Sequence, residues 1–198
     1  MADWEEDGDP WTILRVRRSY ETDWFAVDDH DVLNPAGRPG HYGVIRIRRP
    51  AVGVLPVEAD GSVHLVGQWR FPLKRYSWEM PEGGAEPGED LELCARRELE
   101  EETGLKAAQL QKILEMDLSN SLTDEHATLF LATELTPGEA QPEEVEVLKR
   151  QNAHFQEVLR RVLDGRIRDG LTVAAVLRAH HMAVTGELPA TLARAMLA

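Results

Sequence analysis

Glu98, Glu101 and Glu102 stand in the run Arg97-Glu98-Leu99-Glu100-Glu101-Glu102-Thr103-Gly104-Leu105. On a helix, residues three and four apart share a face, so these three carboxylates converge on one patch. Carboxylates that close repel unless a cation sits among them, and an all-oxygen ligand set suits a hard ion such as Mg²⁺ or Mn²⁺. Mg²⁺ keeps several waters and is commonly completed by substrate phosphates, so the chemistry indicated is phosphate chemistry. A Glu-rich helix is more often a solvated face. Three features count against that plainer reading: an apolar side made by Leu91, Cys94, Ala95 and Leu99, an Arg97 placed to reach Glu101 at i+4, and glycines at Gly83, Gly84 and Gly88 in the entry loop. Asp90 is placed to cap the helix, and Gly104 to end it in a left-handed turn.

A helix of this kind needs a scaffold, and the flanking sequence supplies one. Trp11 to Arg49 is strand-like, interrupted by the turn cluster Asn34 to Gly40. The apolar runs 51–57 and 62–68, split by Asp60-Gly61, read as a hairpin. Arg70, Lys74 and Arg75 form a basic cluster just ahead of the acidic helix, and guanidinium forks match phosphate oxygens. Each also has the plainer reading of a surface ion pair. Beyond the helix, 110–118 and 127–133 read as strands. Residues 151–163 carry helical spacing, Thr172 is placed to cap a helix that ends at Gly186, and 188–198 reads as a short final helix.

Length and composition bound the rest. The chain has 198 residues, 42% hydrophobic, enough for one domain with an arm. A net charge of -13 argues against nucleic acid or an anionic membrane as partner. Cys94 is the single cysteine, which excludes an intrachain disulfide and fits a small core residue. The N-terminus lacks the basic and apolar regions of a secretory signal, and no apolar run approaches a membrane span. The expectation is a cytoplasmic protein.

The segment from Gly83 to Leu105 resembles the Nudix box, G-x5-E-x7-R-E-U-x-E-E-x-G-U with U apolar. Gly83, Glu89, Arg97, Glu98, Leu99, Glu101, Glu102, Gly104 and Leu105 fill every fixed position. The resemblance implies a Mg²⁺-dependent (or Mn²⁺-dependent) hydrolase of nucleoside diphosphates linked to another group. The implied fold is an α/β class Nudix α/β/α sandwich with a mixed sheet, preceded by an N-terminal antiparallel β arm. The implied division is an acidic, loose tail at 1–10, a β arm at 11–49 and the hydrolase domain at 50–198. In the ADP-ribose and nucleotide-sugar branch such an arm pairs with a second subunit, implying a homodimer, and Trp24 is a candidate for base stacking there. The run Gln68-Trp69-Arg70 to Trp78-Glu79-Met80-Pro81-Glu82-Gly83-Gly84 is similar to that branch's lead-in. It implies a diphosphate-binding Arg70, with Arg75 as a further candidate, and support of the metal cluster by Glu79 and the Glu82 carbonyl.

Ser119 to Glu125 resembles an SNS-x-TDE signature, which makes Asp124 and Glu125 candidates to touch the terminal sugar or to cap their loop. The chain lacks a proline that marks many ADP-ribose hydrolases after the box, a departure from strict ADP-ribose specificity. The branch draws its base from an acidic loop, here Glu143 or Glu144; other members use a box glutamate, which keeps Glu98 and Glu101 as candidates. The expected reaction yields a nucleoside monophosphate and a sugar phosphate from ADP-ribose, GDP-mannose or a similar substrate. Alternatives are a Nudix hydrolase of dinucleoside polyphosphates or modified nucleoside triphosphates, and a ligand-sensing Nudix-like regulator that does not cleave. The intact box counts against the last.

Overall fold

The computed structural model describes residues 7–138 and 148–198. Its contacts divide the chain into two compact units, Met1–Arg48 with Asp117–Glu125, and Arg49–Met116 with His126–Ala198.

In the first unit, β1 (Thr12–Glu21), β2 (Phe25–Leu33) and β3 (Pro39–Ile47) form an antiparallel sheet in that order. β2 alternates between buried and half-buried residues, while β1 is exposed along its whole length. Asp28, buried on β2, is held by Arg18 at 2.6 Å, whose hydrogen bond keeps its carboxyl below the usual range. The 117–125 segment joins this sheet: Tyr42 Oη donates to the Ser121 carbonyl at 2.7 Å, and the Ile45 amide to that of Leu122 at 2.9 Å.

The second unit is built on two sheets. β4 (Ala51–Pro56), β7 (Glu82–Gly84), β8 (Leu105–Asp117) and β9 (His126–Pro137) form a mixed sheet ordered β7-β4-β9-β8, with β4 and β9 parallel. β5 (Ser62–Arg70), β6 (Arg75–Glu79) and β10 (Lys149–His154) form an antiparallel sheet ordered β10-β5-β6. Val52, Val54, Phe130 and Ala132 pack with Cys94, Ala95 and Leu99 of α1 (Leu91–Thr103). On the same two strands α3 (Gly170–Thr185) makes its own contacts, giving the α/β/α layering. α2 (Phe155–Leu163) and α4 (Ala190–Leu197) complete the unit. No described helix is long and apolar enough to cross a membrane.

Three elements differ from the sequence reading. The runs 51–57 and 62–68 are not a hairpin: the turn forms, with Gly61 at φ 83°, but the strands enter different sheets. Both edges of β4 are taken, by β7 and β9, leaving a single bridge from Val57 to Val63. Residues 151–154 belong to a strand, because their pairing with β5 outweighs helical spacing, and α2 starts at Phe155 after a His154 cap. The cap of α3 is Asp169, whose carboxylate accepts from the Thr172 amide at 2.8 Å; Thr172 lies within the helix.

Gly61 has a second constraint. A Cβ there would lie 2.5 Å from the Ala195 carbonyl of α4. Gly61→Ala therefore forces both a strained φ and a shift of α4, and is expected to destabilise the fold by about 1–3 kcal/mol. Urea unfolding checks this, and an unchanged midpoint would show that α4 does not dock there.

Candidate active site

α1 is specified locally. Asp90 accepts hydrogen bonds from the amides of Glu92 at 2.9 Å and Leu93 at 3.1 Å, and Gly104 closes the helix at φ 73° with its amide on the Glu100 carbonyl at 2.8 Å. Cys94, Ala95 and Leu99 are wholly buried, and Glu98 and Glu102, each three or four residues from one of them, turn to the same side. Glu98 is only 9% exposed and Glu102 1%, while Glu101 is more open. Burying carboxylates is costly unless counter-charges and donors are arranged around them.

Arg97 supplies much of that arrangement. Its Nε and Nη2 grip the two oxygens of Glu89, each at 3.0 Å, while Nη1 reaches Glu98 at 2.7 Å and Glu101 at 3.1 Å. The Arg97 hydrogen bonds hold the Glu89 carboxyl below its ordinary range. Glu89 in turn accepts from the Glu86 amide at 2.8 Å, so one guanidinium fixes both the entry loop and the acidic face. The carboxylate of Glu98 lies over the backbone of Gly83, where any Cβ would collide with it. Glu102 Oε2 accepts from the Glu82 amide at 3.2 Å. Burial pushes the Cys94 thiol up to about 12, which makes it inert as a nucleophile.

A second guanidinium is held beside this patch. Arg70, at the end of β5, donates from Nε to both Glu79 oxygens at 3.0 Å, and from Nη2 to Glu79 at 2.5 Å and Glu82 at 2.8 Å. Glu79 is 2% exposed. Asp169 completes an acidic group in which one oxygen from each of Glu79, Glu82 and Asp169 lies within 4.8 Å of the others. Burial raises the Glu82 carboxyl well above its ordinary range, Asp169 and Glu79 add to that, and Arg70 opposes it. Thr172 ties the parts together: its hydroxyl donates to Asp169 at 2.8 Å and accepts from the Met80 amide at 3.0 Å.

The donor set fits a hard divalent cation. It consists of carboxylate and carbonyl oxygens, and Glu82 Oε2 is buried without a hydrogen-bond partner among the described residues. The structure thus brings Arg70, Glu79, Glu82, Glu98, Glu101 and Glu102 together in the second unit. Arg75 lies on β6 directly across from Arg70. Trp24, Asp124 and Glu125 belong to the first unit. Trp24 is 56% exposed in the turn between β1 and β2. Asp124 caps the Ile47 amide at 2.8 Å and pairs with Arg46 at 3.2 Å, and Glu125 is half-buried, which raises its carboxyl. Glu143 and Glu144, with the first residues of the acidic tail, lie outside the described residues.

Two residues at the site escaped the sequence reading. Asp169 carried a signal, since Asp-Gly-Leu-Thr is a capping pattern, but the cap was assigned to Thr172 instead. Arg150, on β10, donates from Nε to the Glu102 carbonyl at 2.6 Å, and nothing local in the sequence marks it.

Residues 47–170 match the NUDIX domain. The chain belongs to the Nudix pyrophosphohydrolase family. It is 36% identical over 148 residues to an ADP-ribose pyrophosphatase of Bacillus subtilis (strain 168), covering 74% of this chain and 80% of that one. It is 33% identical, with the same coverage of both, to a methanol dehydrogenase activator of Bacillus methanolicus. A solved structure described as an ADP compounds hydrolase superposes with a TM-score of 0.82 at 22% identity, over 93% of this chain and 100% of that one. The Nudix box is therefore the stretch from Gly83 to Leu105, and the Nudix sandwich is the fold that carries it.

Gly83→Ala is expected to keep the fold while displacing Glu98, lowering turnover about 10- to 100-fold, a loss typical of misplaced catalytic groups. Unchanged kinetics with an unchanged melting curve would remove Glu98 from the site. Acid stability follows from Glu89. Its pKa is lower folded than unfolded, so its contribution is complete above the ordinary value of 4.5 and is lost as pH falls below it. Glu89→Gln should flatten that acid limb in denaturant titrations across pH 3 to 6, a range set by ordinary carboxylate values of about 4.

Proposed function

We propose that this chain hydrolyses the diphosphate bond of a nucleoside diphosphate sugar of the ADP-ribose kind, releasing a nucleoside monophosphate and a sugar phosphate. The observation that carries the reading is the pairing of an intact, buried Nudix carboxylate patch with Arg70 held beside it in a grip of two carboxylates. The names of the relatives support a substrate built on ADP, and GDP-mannose belongs to the same chemical class.

Glu98, Glu101, Glu102 and the Glu82 carbonyl would hold Mg²⁺, with Mn²⁺ as a substitute. When bound, the ion neutralises the diphosphate and lowers the pKa of a coordinated water. The chain's own residues do the rest. Arg97 keeps Glu98 and Glu101 facing the same way, so the patch is preorganised. Arg70, with Nε and Nη2 engaged, turns its remaining nitrogen to a substrate oxygen. Glu79 and Glu82 set the direction of that fork. Glu143 or Glu144 is assigned the proton taken from the attacking water, with Glu98 and Glu101 as the box alternatives. Arg75, Trp24, Asp124 and Glu125 are assigned to substrate contact in the order phosphate, base and sugar. The capping contacts of Asp124 supply a structural duty besides.

A homodimer is part of the reading. β1 leaves Ile13, Leu14, Val16 and Tyr20 each more than half exposed, on a strand exposed along its length. Bare apolar edge strands of this kind are commonly covered by a partner. The cytoplasm is the compartment carried over from the sequence.

The test is product analysis with Mg²⁺, with and without chelator, on ADP-ribose, GDP-mannose, a dinucleoside polyphosphate and modified nucleoside triphosphates. Metal-dependent release of nucleoside monophosphate from the sugar conjugates is expected, and cleavage of the triphosphates alone would replace this reading with that of a hydrolase of modified nucleoside triphosphates. Glu102→Gln should lower turnover at least about 100-fold with the fold kept, the scale of losing a catalytic metal ligand. Sedimentation should give a dimer that Val16→Glu dissociates; a monomeric wild type would sink the dimer.

A further inference from the structure

We propose that Arg150 is a second phosphate-binding residue of the active site, contacting the non-bridging oxygens of the substrate diphosphate. The assignment takes its substrate from the reading above, but not its geometry.

The register of the small sheet places Arg150 on the working face. Arg150 pairs with Val66, and Val66 with Glu79, so the three form one row across β10, β5 and β6. Partners directly opposite in a sheet project to the same face, and Arg70 lies four residues along β5 from Val66, hence on that face too. Two strand spacings put the Arg150 backbone about 10 Å from that of Glu79, on the other side of the row. From there its Nε reaches the Glu102 carbonyl at 2.6 Å. The guanidinium thus stands at the last turn of α1, on the backbone of the last glutamate of the Nudix box.

What it does there depends on its other nitrogens. Arg97 spends its fork on Glu89, Glu98 and Glu101, and Arg70 spends two nitrogens on Glu79 and Glu82. Arg150 is exposed, and beyond the Glu102 carbonyl it makes no hydrogen bond or ion pair among the described residues. Nη1 and Nη2 therefore offer a fork matched to a phosphate oxygen pair. A diphosphate held by Arg70 would take a second guanidinium from Arg150.

The competing account is purely structural. The last turn of α1 holds no basic residue, so Arg150 supplies the cation that the C-terminal end of a helix favours. The two accounts separate in binding. Inorganic pyrophosphate, titrated calorimetrically in Mg²⁺ buffer, is the probe, because it reads phosphate recognition without base or sugar. Arg150→Gln is expected to weaken pyrophosphate roughly 10- to 100-fold, the range for a charge-assisted hydrogen bond. It should raise the KM for ADP-ribose more than it lowers kcat. Arg150→Lys keeps a cation at the helix end but loses the fork, and should still weaken pyrophosphate severalfold.

Unchanged pyrophosphate affinity in either variant overturns the assignment, as does a wild type that binds no pyrophosphate. Should the glutamine variant fail to fold, the lysine variant decides alone. A wild type that binds pyrophosphate through Arg150 yet leaves ADP-ribose intact would sink the substrate reading and keep this one.

Discussion

The repulsion among carboxylates on one face of α1 is the constraint to which the rest of the second unit answers. Glu98 and Glu102 are nearly buried, and a buried carboxylate stripped of its partner costs about 3–5 kcal/mol. Arg97 meets this with one side chain spread over three acids, which is why its place in the sequence is as constrained as theirs. The remainder follows from giving those acids room and a fixed direction. Gly83 has no side chain because Glu98 lies over it, and the Glu82 amide donates to Glu102. Leu99, wholly buried, anchors the helix to the core of the mixed sheet, worth about 1.5–3 kcal/mol by itself.

How much of this could be seen in the sequence depends on the range of the interaction. α1 was legible end to end, because its caps, apolar side and acidic side are all set by neighbours within a few residues: Asp90 with Glu92 and Leu93, Gly104 with Glu100. The Nudix family could be read for the same reason, since the box is contiguous. β4, β5, β8 and β9 are legible as strands, yet their partners are not. β4 and β5 look like a hairpin locally, but β4 finds β9 by a parallel crossover that no turn signal encodes. Residues 151–154 show helical spacing and pair with β5 all the same, because backbone hydrogen bonds to a strand many residues away outweigh a weak local preference.

The site divides along the same line. The carboxylates arrive together on one helix, while the cations come from separate strands. Arg70 lies at the end of β5, and Arg150 on β10 enters from the far side of that strand. Asp169 comes from the start of α3 and was passed over because Thr172 looked like the cap; the two are in fact bonded to each other. Only the fold puts these residues beside the box, so a linear reading recovers the carboxylate half of the site more readily than the guanidinium half.

That division bears on how so acidic a chain handles an anionic substrate. A net charge of -13 repels a diphosphate at long range, and salt screens this only beyond roughly 10 Å. On the proposed reading, binding would be won at short range, by guanidinium groups held in place beforehand. Arg70 is fixed by Glu79 and Glu82, and burial, with Asp169 and Glu79 adding to it, raises the Glu82 carboxyl. On the proposed reading, the site would be poorly satisfied until cation and phosphate arrive together: the metal without the diphosphate would leave the arginine forks unfilled, and the diphosphate without the metal would meet the carboxylates. Mutual dependence of this kind would favour the metal–substrate complex over either alone, and would make the acidity of the chain a source of selectivity instead of an obstacle.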